Sequence, residues 1–228
     1  MNTRITSAQI AFTAISLIAC ITSAQSPSPE SSSAPTTVTS PIGSAPATTT
    51  ASPSEAEMMK QMIELAKLNE NHKLLAELAG TWSTSVKMMS PGEAPSTSTG
   101  SVTYKSIMNG RYVVGDHSGS MKMPGADGKM KDFTFKGMST DGYDNVKQKF
   151  VSSWVDNMGT GIVTFEGTYD PATKTFTYTG EMEMAPGMKI PVRSVVKAPD
   201  KNHRIFEWYE NRGGQEMKTL EINYTRKK

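Results

Sequence analysis

From Gly80 onward, apolar residues recur at every second position, in short runs rich in β-branched and aromatic side chains and separated by turn residues. A period of two cannot line one side of a helix; it suits extended strands with one face turned to a core. The runs are 82–89, 100–107, 111–118, 133–143, 148–156, 161–169, 175–184, 189–197, 203–210 and 217–224. Between them lie Pro91-Gly92, Asn109-Gly110, Pro124-Gly125, Asp127-Gly128, Pro186-Gly187 and Arg212-Gly213-Gly214. Connections this short join antiparallel neighbours, which makes the topology a meander. Roughly ten strands within 81–228 must curl, and closure into a barrel removes the open edges that invite aggregation. The fold class expected is therefore mainly β, an antiparallel barrel preceded by an N-terminal helix.

That helix is expected over 55–80. Ser54 and Glu57 have the spacing of a capping box, and the acidic first turn suits the helix dipole. Met58, Met59, Met62, Ile63 and Ala66 follow at helical spacing, then Leu74, Leu75 and Leu78 beyond a break at 69–71, with Gly80 as terminator. The apolar face is expected to pack on the sheet.

Upstream, 25 of the 30 residues 25–54 are Ser, Thr, Pro or Ala, and Glu30 is the only charge. Too little apolar surface is present to offset chain entropy, so this stretch reads as a disordered tether spanning roughly 30 Å. Residues 1–24 read as an export signal: Arg4, then the apolar run Ile10 to Ala19, too short to span a bilayer. Leu17-Ile18-Ala19-Cys20 resembles the lipobox of bacterial lipoproteins, which implies cleavage before Cys20, a lipid on its thiol, and a membrane as partner. Ile21 in the following position hints at the outer membrane. Ordinary cleavage after Ala24 is the second reading and gives a secreted chain without Cys20. In either case the exported chain has no disulfide pair, and burial alone stabilises its core.

Lys and Arg number 24 against 22 Asp and Glu, and both signs are scattered, so no nucleic-acid footprint is present. Arg226-Lys227-Lys228 reads as a solvated chain end. Asp116 and His117 are adjacent and would point to opposite faces of a strand, so they cannot act as a base and its orienter. His72 and His203 are far from both in sequence, and no zinc spacing or nucleophile motif can be written. No enzyme activity, metal or other cofactor is expected. The 16 methionines include Met121 and Met123, assigned to a loop, and Met182 and Met184, which share a strand face with Met188 nearby. Thioethers select Cu(I), but methionine is also a flexible filler of apolar surface, the reading preferred here. Phe150, Ser152, Trp154 and Asp156 share a face that mixes bulk with polar groups, as a partly wet interior or an outer face would. Gly142-Tyr143-Asp144 reads as a turn.

Asn109-Gly-Arg-Tyr-Val, Gly137-Met-Ser-Thr-Asp-Gly-Tyr-Asp-Asn145, Ser153-Trp-Val-Asp-Asn-Met-Gly-Thr-Gly161, Gly167-Thr-Tyr-Asp170 and the segment Glu216 to Lys227 occur in that order. His72-Lys-Leu-Leu and Leu78-Ala-Gly-Thr-Trp82 precede them. Together they resemble the bacterial family catalogued as domain of unknown function 1579, from about His72 to the C-terminus. The resemblance implies a small calycin-like or lipocalin-like barrel and no particular reaction. Two functions are then in view. One is a barrel whose interior pocket, lined by some of Trp82, Tyr112, Trp154, Arg193 and Trp208, takes a small apolar or amphipathic molecule, with any anionic group near Arg193. The other is a packed barrel acting as a cell-envelope interaction module.

Overall fold

The computed structural model describes residues 54–228; the expected export signal, Cys20 and the tether up to residue 53 lie outside the described residues. Two helices open the described chain, α1 (Glu55–Leu65) and α2 (Glu70–Ala76). Ten strands follow: β1 (Gly80–Met88), β2 (Ser96–Ile107), β3 (Tyr112–Pro124), β4 (Met130–Asp144), β5 (Lys149–Asp156), β6 (Val163–Asp170), β7 (Thr175–Ala185), β8 (Met188–Lys197), β9 (His203–Arg212) and β10 (Gln215–Arg226). Each pairs antiparallel with its sequence neighbours, and β1 pairs with β10, Trp82 opposite Arg226 and Met88 opposite Leu220, to close a barrel. The expected meander is the observed topology.

The helix expected over 55–80 is divided into two at the break that the sequence suggests at 69–71. Asn69 breaks it: its extended backbone (φ −136) cannot continue a helix, and its side chain accepts from the Asn71 amide at 3.0 Å. The Asn69 amide in turn donates to His72 Nδ1 at 3.1 Å, completing a capping box that starts α2 afresh. Asn145 Nδ2 donates to the Leu65 and Lys67 carbonyls at 2.7 and 2.8 Å, so the end of α1 is satisfied from the β4–β5 turn. The Ser54–Glu57 box is present as expected, with Glu57 N donating to Ser54 Oγ at 3.3 Å. The packing expectation fails for α1: Met58, Met59, Met62 and Ile63 are all exposed. Packing belongs to α2, whose His72 and Leu75 are buried. Leu75 joins a core cluster with Val113, Phe150 and Phe176, from the strand ends on one side, and so caps that end of the barrel.

Two strand boundaries also differ from expectation. Met121-Lys122-Met123 is strand rather than loop, because the β3–β4 ladder runs to Pro124 opposite Met130 and turns only at 125–129, where Gly125 N donates to Lys129 O at 2.8 Å. Gly142 belongs to β4 rather than to a turn; a Cβ there would stand 2.8 Å from the Tyr112 ring, and glycine lets that ring lie against the strand. Arg226 is no solvated end: it closes β10 on β1 and donates to the Ala79, Glu77 and Lys201 carbonyls at 2.6, 2.6 and 2.9 Å.

Candidate functional site

Strand register decides which side chains enter the lumen. Trp82, Val102, His117, Gly137 and Asp156 form one row of cross-strand partners, and Tyr104, Gly115, Ser139, Trp154 and Val163 the next. Because strand neighbours alternate faces, every second residue from these is inward. Beneath α2 the inward side chains are closely packed. At the opposite rim Met88, Met121, Met123, Met182, Met184 and Met217 face inward and are half-buried. Met182 and Met184 pack against the main core cluster, in keeping with methionine as adaptable apolar filler.

Between cap and rim the lumen wall is aromatic and polar. His117 stands edge-on to Tyr104 (ring centroids 5.6 Å) and to Trp154 (5.0 Å), and its enclosed Nε2 has no hydrogen-bond partner. Burial pushes its imidazole down to about 4, a neutral ring at physiological pH, with only the outward Asp116 pulling the other way. Gly115 and Gly137 give these rings room: a Cβ at Gly115 would lie 2.5 Å from Tyr104 Cε1, and one at Gly137 would lie 2.6 Å from the Trp154 indole. Asp141 accepts from Ser139 Oγ at 3.0 Å, and burial raises its carboxyl against the hydrogen bonds from Ser152 and Ser139. Burial also raises the Tyr104, Tyr178 and Tyr224 hydroxyls, and the Asp141 charge adds to it.

Tyr104, His117, Asp141, Ser152, Trp154 and Trp208 are inward, and each keeps accessible surface. Tyr104, Trp154 and Trp208 also border the core cluster, and Trp208 of β9 meets Phe165 of β6 edge-on with ring centroids 5.7 Å apart, so the inward side chains touch across part of the lumen while these residues stay partly accessible. The face of Phe150, Ser152, Trp154 and Asp156 is the inner, partly wet one; Trp154 Nε1 donates to Asp156 Oδ2 at 2.8 Å.

Of the expected pocket residues, Trp154 and Trp208 line this lumen. Trp82 points inward but is fully enclosed, its Nε1 donating to Leu78 O at 2.9 Å and its ring lying 4.1 Å from the Arg226 guanidinium and 5.1 Å from that of Arg204. Two residues are corrected. Tyr112 pairs with Gly142 on the outward face and edges a groove of about 720 Å³ on the outer surface, with Thr140, Val151 and Thr179. Arg193 is outward as well, ion-paired to Glu216 at 2.7 Å and stacked over Tyr209 at 4.0 Å. A second hollow of about 430 Å³ lies at the capped end, between Leu74 of α2 and Tyr143, Phe150 and Tyr169. The inward residues not anticipated are His117, Asp141 and Arg204. Arg204 is 6% exposed, and its Nε is enclosed without a partner. Alternation alone could have found it, since Arg204 shares a face with Phe206 and Trp208.

Among the described residues no group of three or more His, Cys, Asp and Glu is placed to hold a metal. No described helix is long and apolar enough to cross a membrane. No curated protein matches the chain. Rv2717c from M. tuberculosis aligns structurally at 14% identity and TM-score 0.49, covering 71% of this chain and all of its own. A protein of unknown function from the DUF3598 family of Nostoc punctiforme aligns at 7% identity and TM-score 0.24, over 70% of this chain and all of its own. The model of the family described as protein of unknown function (DUF1579) matches residues 67–226, which takes in α2 and the whole barrel. The chain belongs to the DUF1579 family.

Proposed function

We propose that the protein is a noncatalytic binding barrel that captures a small amphipathic molecule in its lumen, and that it is exported and held at a membrane by a lipid on Cys20. The observation that carries the binding reading is the accessible surface on inward side chains deep in the barrel, Trp154 and Trp208 foremost. That surface favours a binding barrel over a fully packed interaction module. The methionine rim supports the same reading, because flexible thioether side chains adapt to apolar ligands without a fixed shape. The noncatalytic part rests on the absence of a nucleophile motif and on Asp116 and His117 occupying opposite faces of β3. Anchoring rests on Leu17-Ile18-Ala19-Cys20 and the polar tract after it.

The experiment is a thermal-shift screen of fatty acids, fatty alcohols, isoprenoids and lysolipids, with tryptophan quenching for every hit. A ligand at about a hundred times its dissociation constant adds roughly 2.7 kcal/mol to the folded state. For a domain of this size that raises Tm by about 5 to 10 °C. Absence of any saturable shift across the screen would sink the binding reading.

A further inference from the structure

A guanidinium enclosed in a barrel needs a counter-charge or a full set of acceptors, because desolvating an unpaired charge costs several kcal/mol. Arg204 has neither. Its Nε is unpartnered, and among the described residues none of the ion pairs includes it. The contrast with Arg226, on the same Trp82 ring, is direct: all three Arg226 nitrogens donate to backbone carbonyls, so that guanidinium is committed to holding the chain ends together. Arg204 touches the ring from 5.1 Å and keeps its donors.

Its neighbours are hydroxyls. Tyr224 stands opposite Arg204 in the β9–β10 ladder, and Tyr224 and Tyr104 act on each other's hydroxyls. Tyr104 in turn is half-buried and borders the same core cluster as Trp208, which places the enclosed guanidinium at the end of the aromatic wall. Asp141, the inward carboxyl that acts on both tyrosines, is taken up by Ser139 and Ser152 and forms no ion pair with Arg204. Along β9 the inward residues after Arg204 are Phe206 and Trp208, stacked with centroids 6.3 Å apart. Beyond them lies the rim, where Met217 faces Glu210. The inner face of this strand therefore runs from a cation, along two rings, to Glu210, which is paired to Arg212 and accepts from the Trp208 indole, and then to the methionine-lined opening.

We propose that Arg204, together with the hydroxyls of Tyr104 and Tyr224, seats the anionic group of the ligand, and that the lumen takes a single-chain amphiphilic carboxylate with its tail along Phe206 and Trp208 towards the methionine rim. The proposal rests on the lumen being a binding site, and it replaces Arg193, which is committed to Glu216 outside the barrel. A carboxylate matches the planar donor fork of arginine in shape and supplies the acceptors Arg204 lacks.

The test is tryptophan quenching of the full chain by dodecanoate and by dodecanol, at about pH 8 so that the acid is ionised. Dodecanoate should bind at least about tenfold more tightly than dodecanol, since a hydrogen bond to a charged group contributes about 1.5 to 3 kcal/mol. Arg204→Met should weaken dodecanoate about 10- to 100-fold while leaving dodecanol within about threefold, and Arg204→Lys should fall between the two. Arg193→Met should change neither. Equal binding of acid and alcohol by the unaltered protein, or an Arg204→Met protein that keeps its preference for the acid, overturns the assignment and leaves the lumen reading standing. Binding of neither compound overturns both. Should Arg204→Met fail to fold, the acid-to-alcohol ratio of the unaltered protein and of Arg204→Lys decides the matter.

Discussion

His117 makes the acid sensitivity of this fold calculable. Enclosed by the barrel against Tyr104 and Trp154, its imidazole is driven from 6.5 down to about 4 by burial. In the unfolded chain it returns to about 6.5. The folded form thus binds the proton more weakly than the unfolded form, so the protein gains full stability from a neutral His117 above pH 6.5 and loses it as pH falls towards 4. The complete shift corresponds to about 3 kcal/mol, of which about 2 kcal/mol is lost between neutrality and about pH 4.5. His72, also lowered by burial, adds in the same direction, whereas Asp141, raised by burial, opposes it. A comparison of two proteins isolates the His117 share. Urea unfolding of the parent and of His117→Gln at pH 7 and at about pH 4.5 should give a stability gap that shrinks by about 2 kcal/mol on acidification. The glutamine side chain loses the ring contacts at both pH values and the proton at neither. Parallel stability curves, or an imidazole resonance titrating near 6.5 in the folded protein, would refute the account.

Three further outcomes are expected. Gly115→Ala should cost about 1 to 3 kcal/mol in urea unfolding, because the new Cβ meets the Tyr104 ring at 2.5 Å and must displace it into the lumen; the same displacement should weaken any luminal ligand. Asn69→Ala removes the cap that starts α2 and should lower stability by about 1 kcal/mol, with amide exchange rising first at residues 70–76. Intact-mass measurement of the protein purified from its native host should find acyl chains on an N-terminal Cys20, and a mature chain beginning at Gln25 would instead establish ordinary signal cleavage.

The barrel was legible because most of its strands carry their own period-two signal, as in β10, where Leu220, Ile222 and Tyr224 alternate with Glu221, Asn223 and Thr225. The lumen was less so, for a local reason. Before the methionines of the rim, the inward face of β3 is Val113, Gly115, His117 and Gly119, and two of those four positions have no side chain to register as apolar. The outward face carries Tyr112 and Val114, so hydrophobicity pointed the wrong way and drew Tyr112 into the expected pocket. No such ambiguity protects the choice of Arg193. It has the parity of Lys189, Pro191 and Lys197, opposite to Ile190 and Val192, and alternation by itself sets it outside. In α1 the methionine spacing correctly gives a helix, but spacing carries no information about what covers the face it defines.

The same glycines that obscured the pattern give the inward rings their room. Inward Gly115, Gly137, Gly167 and Gly180 each have an aromatic ring where a Cβ would stand: Tyr104, Trp154, Tyr178 and Phe165 respectively. Side chains at those four positions would displace the rings that now occupy the space beside the backbone. Aromatic bulk and partly accessible inward residues are therefore compatible in this barrel, and the enclosed polar atoms without partners among the described residues, His117 Nε2 and Arg204 Nε, are on inward side chains of β3 and β9.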